Sequence, residues 1–171
     1  MFAPSEHIVH PRHGAGTMLG IRTIERDGET CRYYCIELVD GRGTVMIPDE
    51  RIEEAGLRAA IVDARLIRRV MGKAPNELPD DYRTRQSHIR QQIASGDPRQ
   101  MLQALRDLCW YERRHRLTSV DARLKSRIQL LLTYELAVKS ALDVEAARQR
   151  LNRIIRQAMQ GHALAREGAS S

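Results

Sequence analysis

Between residues 58 and 59 the apolar residues of this chain change their spacing, from every second position to every third and fourth, and the net charge changes sign at the same place. A period of two fits strands with one buried face, and a period of 3.6 fits helices, so neither one continuous sheet nor one continuous bundle can take up the whole chain. Residues 1–58 hold 7 arginines against 10 acidic residues, a net of −3, while residues 59–171 hold the other 21 basic residues against 12 acidic ones, a net of +9. A mildly acidic β module joined to a basic helical module predicts two surfaces with separate partners, a protein for the first and a polyanion for the second. The expected fold class is α+β in two domains. A small SH3-like or Tudor-like barrel occupies residues 1–56, a compact all-α domain of about five helices 57–160, and a flexible tail 161–171.

His7 to Gly16 reads as a strand closed by glycines that permit a sharp turn or a close backbone approach. Residues 15–26 and 29–39 are β-rich runs separated by Asp27-Gly28, a strong two-residue hairpin signal. Asp40 to Gly43 makes the next turn, Thr44 to Ile47 a short strand, and Pro48 its end, because proline cannot donate to a ladder.

The helical pattern starts at Ile61, continues through Val62, Leu66, Ile67 and Val70, and stops at Gly72. Residues 73–79 contain two prolines and read as a linker, and a second helix follows over 80–94. Asp97-Pro98 is a cap followed by proline at the first helical position, which opens a third helix carrying Met101, Leu102, Leu105, Leu108 and Cys109 on one stripe. Thr118 and Asp143 cap a fourth and a fifth helix, and the last ends near Gly161.

Enzyme readings find little to stand on. No phosphate-cradling loop, dinucleotide fingerprint, zinc-protease helix or nucleophile elbow is present, so no catalytic residue and no cofactor are expected. His7, His10 and His13 with Cys31 and Cys35 invite a zinc proposal, but alternation puts His10 opposite the other two. Ligands four apart on a strand are also about 13 Å apart. These histidines are expected half-exposed on a strand, with no metal bound. Cys31, Cys35 and Cys109 give no even disulfide framework and read as small buried hydrophobes. Neither Met1 to His7 nor any later run is long and apolar enough to serve as a signal peptide or membrane span, so a soluble cytoplasmic protein is expected.

The charge is better placed. Only three of the 28 basic residues are lysines, so nearly all the cations are planar guanidinium forks suited to phosphate. Arg83, Arg85 and Arg90 lie on the second helix, and Arg113, Arg114, Arg116, Arg123, Lys125 and Arg127 gather around the end of the third and the start of the fourth. These groups can form one phosphate-binding patch or a solvated face with local ion pairs. Trp110 and Tyr82 sit beside arginines, where an aromatic ring can stack on an unpaired base or wedge into a groove, or else pack on its own helix. A second function class also stands, an adaptor whose helical domain binds an acidic protein and no DNA; binding to a forked duplex separates the two.

Several landmarks fall in an order that resembles the CarD/CdnL family of bacterial RNA polymerase-binding transcription regulators. They are Ile8-Val9-His10-Pro11-Arg12-His13-Gly14-Ala15-Gly16, the Gly28 hairpin leading to Tyr33-Tyr34, and Val45-Met46-Ile47-Pro48. Gly56-Leu57-Arg58, Ile93-Ala94-Ser95-Gly96-Asp97 and Leu105-Arg106-Asp107-Leu108 complete the set. The resemblance implies a Tudor-like domain that docks on the polymerase β subunit, and a helical domain that touches promoter DNA at the upstream edge of the transcription bubble without reading its sequence. It implies no small-molecule substrate and no membrane partner. The family's tryptophan wedge aligns with Tyr82, and two barrel arginines align with Ile24 and Met46, with Arg22, Arg26, Arg42 and Thr44 close by as candidate polymerase contacts. Arg85 and Arg123 match family basic positions, whereas Ser87 and Ala122 replace lysines.

Overall fold

Alternating apolar residues in the first third of the chain pair into an antiparallel sheet. The structure, a computed structural model, describes residues 2–26 and 28–169, without the Arg26 side chain. Strands β1 (His7–His10), β2 (Gly14–Arg26), β3 (Glu29–Leu38), β4 (Thr44–Pro48) and β5 (Arg58–Ala59) lie in the order β4-β3-β2-β1-β5. The inward face carries Ile8, Met18, Tyr34, Ile36, Leu38 and Ile47, all buried. Arg26 pairs with Glu29, so the β2–β3 connection is two residues, as the hairpin signal requires; Gly28 takes φ +81°, and Asp27 lies outside the described residues. The expected barrel is instead an open sheet. A 3-10 turn (Asp49–Arg51) and irregular chain follow β4, and β5 is two residues long, too short to reach β4 once it has paired with β1. Gly16 supplies the predicted close approach: a Cβ there would lie 2.4 Å from the Glu37 carbonyl oxygen.

Five helices follow among the described residues: α1 (Ala64–Met71), α2 (Tyr82–Ala94), α3 (Pro98–Glu112), α4 (Ser119–Ser140) and α5 (Val144–Ala169). Asp63, Asp81, Asp97, Thr118 and Asp143 each accept a backbone N–H of the first turn, which satisfies donors that the helix cannot pair internally. Because Asp63 is the cap, Ile61 and Val62 lie before the helix rather than in it as their spacing suggested. The apolar stripes meet in one core that includes Leu102, Leu105 and Leu108 of α3, Leu132 and Leu136 of α4, and Leu151 of α5. Cys35 and Cys109 are buried and Cys31 is half-buried, and burial pushes the Cys109 thiol up to about 11.

Where a tail is expected from residue 161, the chain is helical as far as residue 169. Residues 161–169 continue α5, with Gly161 itself helical, while Ser170 and Ser171 lie outside the described residues. Alanine, leucine, arginine and glutamate favour helix here, and the His162 ring hydrogen-bonds the Met71 carbonyl at 2.7 Å, which pins this turn to the end of α1.

Two charged groups hold the layers together. Asp107 accepts the Asn76 N–H and side-chain amide, each at 3.0 Å, and so fixes the linker over 73–79, while buried Arg106 pairs with Asp107 and donates to the Val70 carbonyl. Between the sheet and the helices, α4 packs across β2, and Arg58 of β5 forms a two-pronged ion pair with Glu135 of α4 at 2.7 Å per prong.

Helix α4 ends on Ala141 in the left-handed region, φ +51°, a position that ordinarily takes glycine. Ala141→Gly is expected to raise stability by about 0.5 kcal/mol, the relief of left-handed strain less the added unfolded-state entropy. A urea midpoint that stays put or falls would contradict this.

Candidate nucleic-acid and partner interfaces

Asp81 opens α2, and its carboxylate accepts the Thr84 N–H at 2.8 Å and the Thr84 hydroxyl at 2.6 Å; these bonds hold its pKa below the ordinary value. Tyr82 is therefore the first helical residue and is 49% exposed, while Ile89 further along the helix is buried. Arg83 lies 5.7 Å from the ring centroid and donates to the Tyr82 hydroxyl at 3.2 Å. A flat, wet aromatic face beside a guanidinium can stack on a base while the cation meets the adjoining phosphate.

Arg85, expected among the phosphate contacts, points the other way. It is 2% exposed and donates to the Pro79 carbonyl at 2.7 Å, the Tyr111 hydroxyl at 3.3 Å and Asp121 at 2.8 Å. Its guanidinium also lies 4.6 Å over the Tyr111 ring. Asp121 in turn closes a capping box with Thr118, whose hydroxyl also accepts from Gln86. Burial pushes the Asp121 carboxyl up, but the hydrogen bonds from Arg85 and Thr118 outweigh it and hold the pKa below the ordinary value. The same bond raises the Arg85 pKa. One buried ion pair thus joins the start of α2, the end of α3 and the start of α4.

The remaining candidates sit around that joint. Trp110 is half-buried at the end of α3, with Arg113 and Arg114 at 5.9 and 5.2 Å from its ring and the His162 ring edge-on at 6.1 Å. A cavity of about 220 Å³ beside it is lined by Leu78, Asp80, Tyr111, Arg114 and His115. Arg114 also pairs with Glu77 at 3.7 Å, and Lys125 pairs with Glu112, so these two cations are partly neutralised. Arg83, Arg113, Arg116, Arg123 and Arg127 are exposed, as is Arg90 further along α2. The sequence signal for Asp121 was its place three residues after Thr118; nothing local marked Arg85 as its partner.

On the sheet, register decides what shares a face. Ile24 pairs with Cys31, Arg22 with Tyr33, and Met46 with Cys35, which places Ile24, Arg22 and Met46 on the side opposite the Tyr34 and Ile47 core. Ile24 and Met46 are exposed, whereas Ile21, also exposed, pairs with Tyr34 and stands on the other side of the sheet. Thr44 is exposed at the start of β4, whose outer edge is unpaired in the sheet. Arg42 is turned back on its own loop, pairing with Asp40 and donating to the His13 carbonyl at 2.7 Å. The Arg26 side chain lies outside the described residues.

His10 departs from the half-exposed expectation: it is buried, and its Nδ1 accepts the Arg12 and His13 N–H groups at 3.0 and 3.3 Å. Burial, with the charges of His13 and Arg12, lowers its pKa, in keeping with that acceptor role. Among the described residues no group of three or more His, Cys, Asp or Glu is placed to hold a metal ion, and no helix is long and apolar enough to cross a membrane.

Residues 2–61 match the family model of the CarD-like/TRCF RID domain, and residues 67–152 match that of the CarD C-terminal domain. The chain is also 27% identical over 143 residues to a Bacillus subtilis (strain 168) protein named "Putative transcription factor YdeB", an alignment that covers 81% of this chain and 92% of that protein.

Proposed function

This chain belongs to the CarD family of transcription regulators, and from that premise we propose that it links the β subunit of RNA polymerase to promoter DNA at the edge of the transcription bubble. The sheet domain takes the polymerase, through the face carrying Arg22, Ile24 and Met46 and through the free edge of β4 at Thr44, where added backbone hydrogen bonds depend little on side-chain identity. The helical domain takes the DNA, through Tyr82, Arg83, Arg90, Trp110, Arg113, Arg116 and Arg123. Arg85 acts from behind, positioning the helix ends that carry them. Association with polymerase would bring the protein to the nucleoid.

The exposed ring of Tyr82 at the tip of α2 carries this reading. A contact made only with the melted junction shifts the closed-to-open equilibrium, whereas one made equally with both states shifts nothing. Stacking on an unpaired base contributes about 1–3 kcal/mol, so Tyr82→Ala is expected to shorten open-complex lifetime about tenfold. Polymerase affinity should be unchanged. Measuring promoter-complex decay after a heparin challenge tests this, and equal lifetimes for variant and wild type would remove Tyr82 from the proposal.

A further inference from the structure

The C-terminal-domain match ends at residue 152, yet α5 runs on to Ala169, 26 residues in all and about 39 Å long. Ala147, Leu151, Ile154, Ile155 and Met159 turn inward, which leaves Arg150, Arg153 and Arg156 exposed on the opposite side, each about 4.5 Å further along the axis than the last. Gln157 and Gln160 are exposed beyond them, and Gln149, exposed just before them, donates to Glu145 at 3.2 Å. Glu145 lies against Arg148 at 3.7 Å, and among the described residues none of Arg150, Arg153 and Arg156 pairs with a carboxylate. Helix α1 packs on α5 and repeats the pattern: Leu66, Ile67, Val70 and Met71 are buried, and Arg65, Arg68 and Arg69 are exposed.

We propose that the outer sides of α5 and α1 form a second cationic face, separate from the corner at Tyr82, that holds the phosphate backbone of duplex DNA. Two features favour a phosphate backbone over an acidic protein. Protein interfaces centre on buried apolar or aromatic anchors, and on these two helices the sole large exposed hydrophobic among the described residues is Leu164, at the far end of α5. Guanidinium and carboxamide donors repeated along a rigid rod, with no apolar anchor between them, are the donor set that contacts phosphate and carries no sequence information. The protein then straddles the junction, with Tyr82 at the fork and α5 on neighbouring duplex. This inference needs the cations of α5 and α1 alone, so it can fail or stand apart from the role given to Tyr82.

The test uses the full chain and a fluorescent blunt duplex of arbitrary sequence, with binding followed by anisotropy against KCl concentration. Arg150→Gln, Arg153→Gln and Arg156→Gln together keep good helix formers, and circular dichroism checks that the helix content is retained. The dissociation constant for the triple variant is expected to rise at least tenfold at about 50 mM salt, and the salt slope to fall by about 2–3, close to one released counterion per arginine. An unchanged affinity and slope, or no duplex binding by the wild type at that salt, overturns the proposal. Unchanged duplex binding with lost retention on a polyglutamate matrix also overturns it and assigns the face to an acidic polypeptide. Arg113→Gln with Arg123→Gln serves as reference: unaltered binding of that variant to forked DNA would count against the corner at Tyr82 and leave this face standing.

Discussion

Replacing Asp121 with alanine is expected to lower the stability of the chain by about 3–5 kcal/mol, the cost of leaving a buried guanidinium without its counter-charge. Arg85 and Asp121 are 2% and 0% exposed and meet at 2.8 Å, and the same carboxylate holds the Thr118 hydroxyl, so the variant loses an ion pair and half of a capping box together. Burial alone does not make the pair stabilising. Arg85→Met combined with Asp121→Leu should therefore recover most of the loss, because neither charge then needs solvation. Urea titration of both variants decides the matter: a loss under about 1 kcal/mol for Asp121→Ala would mean that water reaches Arg85 once its partner is gone. Acid should act in the same direction. The Asp121 carboxyl titrates below the ordinary 3.8, so its contribution is fully present above that value and is lost as pH falls through the lower folded-state value. Asp121→Ala should flatten this part of the acid limb. Since the pair also orients the starts of α2 and α4, the variant should weaken binding to forked DNA even where it remains folded.

Arg58→Ala should have the next largest effect, a loss of about 2–3 kcal/mol, discounted from the figure for a fully buried pair because the Arg58 side chain is 29% exposed. Glu135 is 2% exposed and accepts both prongs of Arg58 and the Ile61 N–H at 2.8 Å; without the arginine, one hydrogen bond remains to a buried carboxylate. Arg58 also donates to the Gly96 carbonyl at 3.1 Å, so one side chain ties the end of the sheet to the α2–α3 turn and to α4. The variant should unfold in two separated steps, sheet and helices no longer reporting one transition. A single transition displaced as a whole would place the coupling elsewhere, in the packing of α4 on β2.

Much of the local structure was legible from neighbouring residues. The hairpin at 27–28, the caps Asp97, Thr118 and Asp143 and the stripe of α3 all rest on interactions within a few positions, and the helices begin where those caps stand. The site was legible in part. Tyr82 reads as part of the first turn of a helix over 80–94 and is exposed at its start, but Arg85, three residues on, reads as a surface cation although it is buried. Both are polar residues on one helix turn, and no property within that turn tells a phosphate contact from the partner of a carboxylate 36 residues away. The motifs that carried the family resemblance behave similarly. Arg58 of the Gly56-Leu57-Arg58 stretch reaches the Gly96 carbonyl, and Arg106-Asp107 fixes the linker over 73–79. These residues build the frame that carries the contacts.

Period, capping and charge sign are written locally, because the hydrogen bonds and side-chain directions behind them span one turn or one strand pair; they determined a sheet followed by basic helices. Tertiary structure alone decided that the sheet stays open, that α5 runs on to residue 169 with His162 against the end of α1, and which arginines are taken up by buried partners. The last two depend on whether a distant segment arrives to bury a group: His162 at the Met71 carbonyl, Asp121 at Arg85, Glu135 at Arg58. A charge with a buried partner becomes part of the frame, and one left in water keeps its attraction for a polyanion.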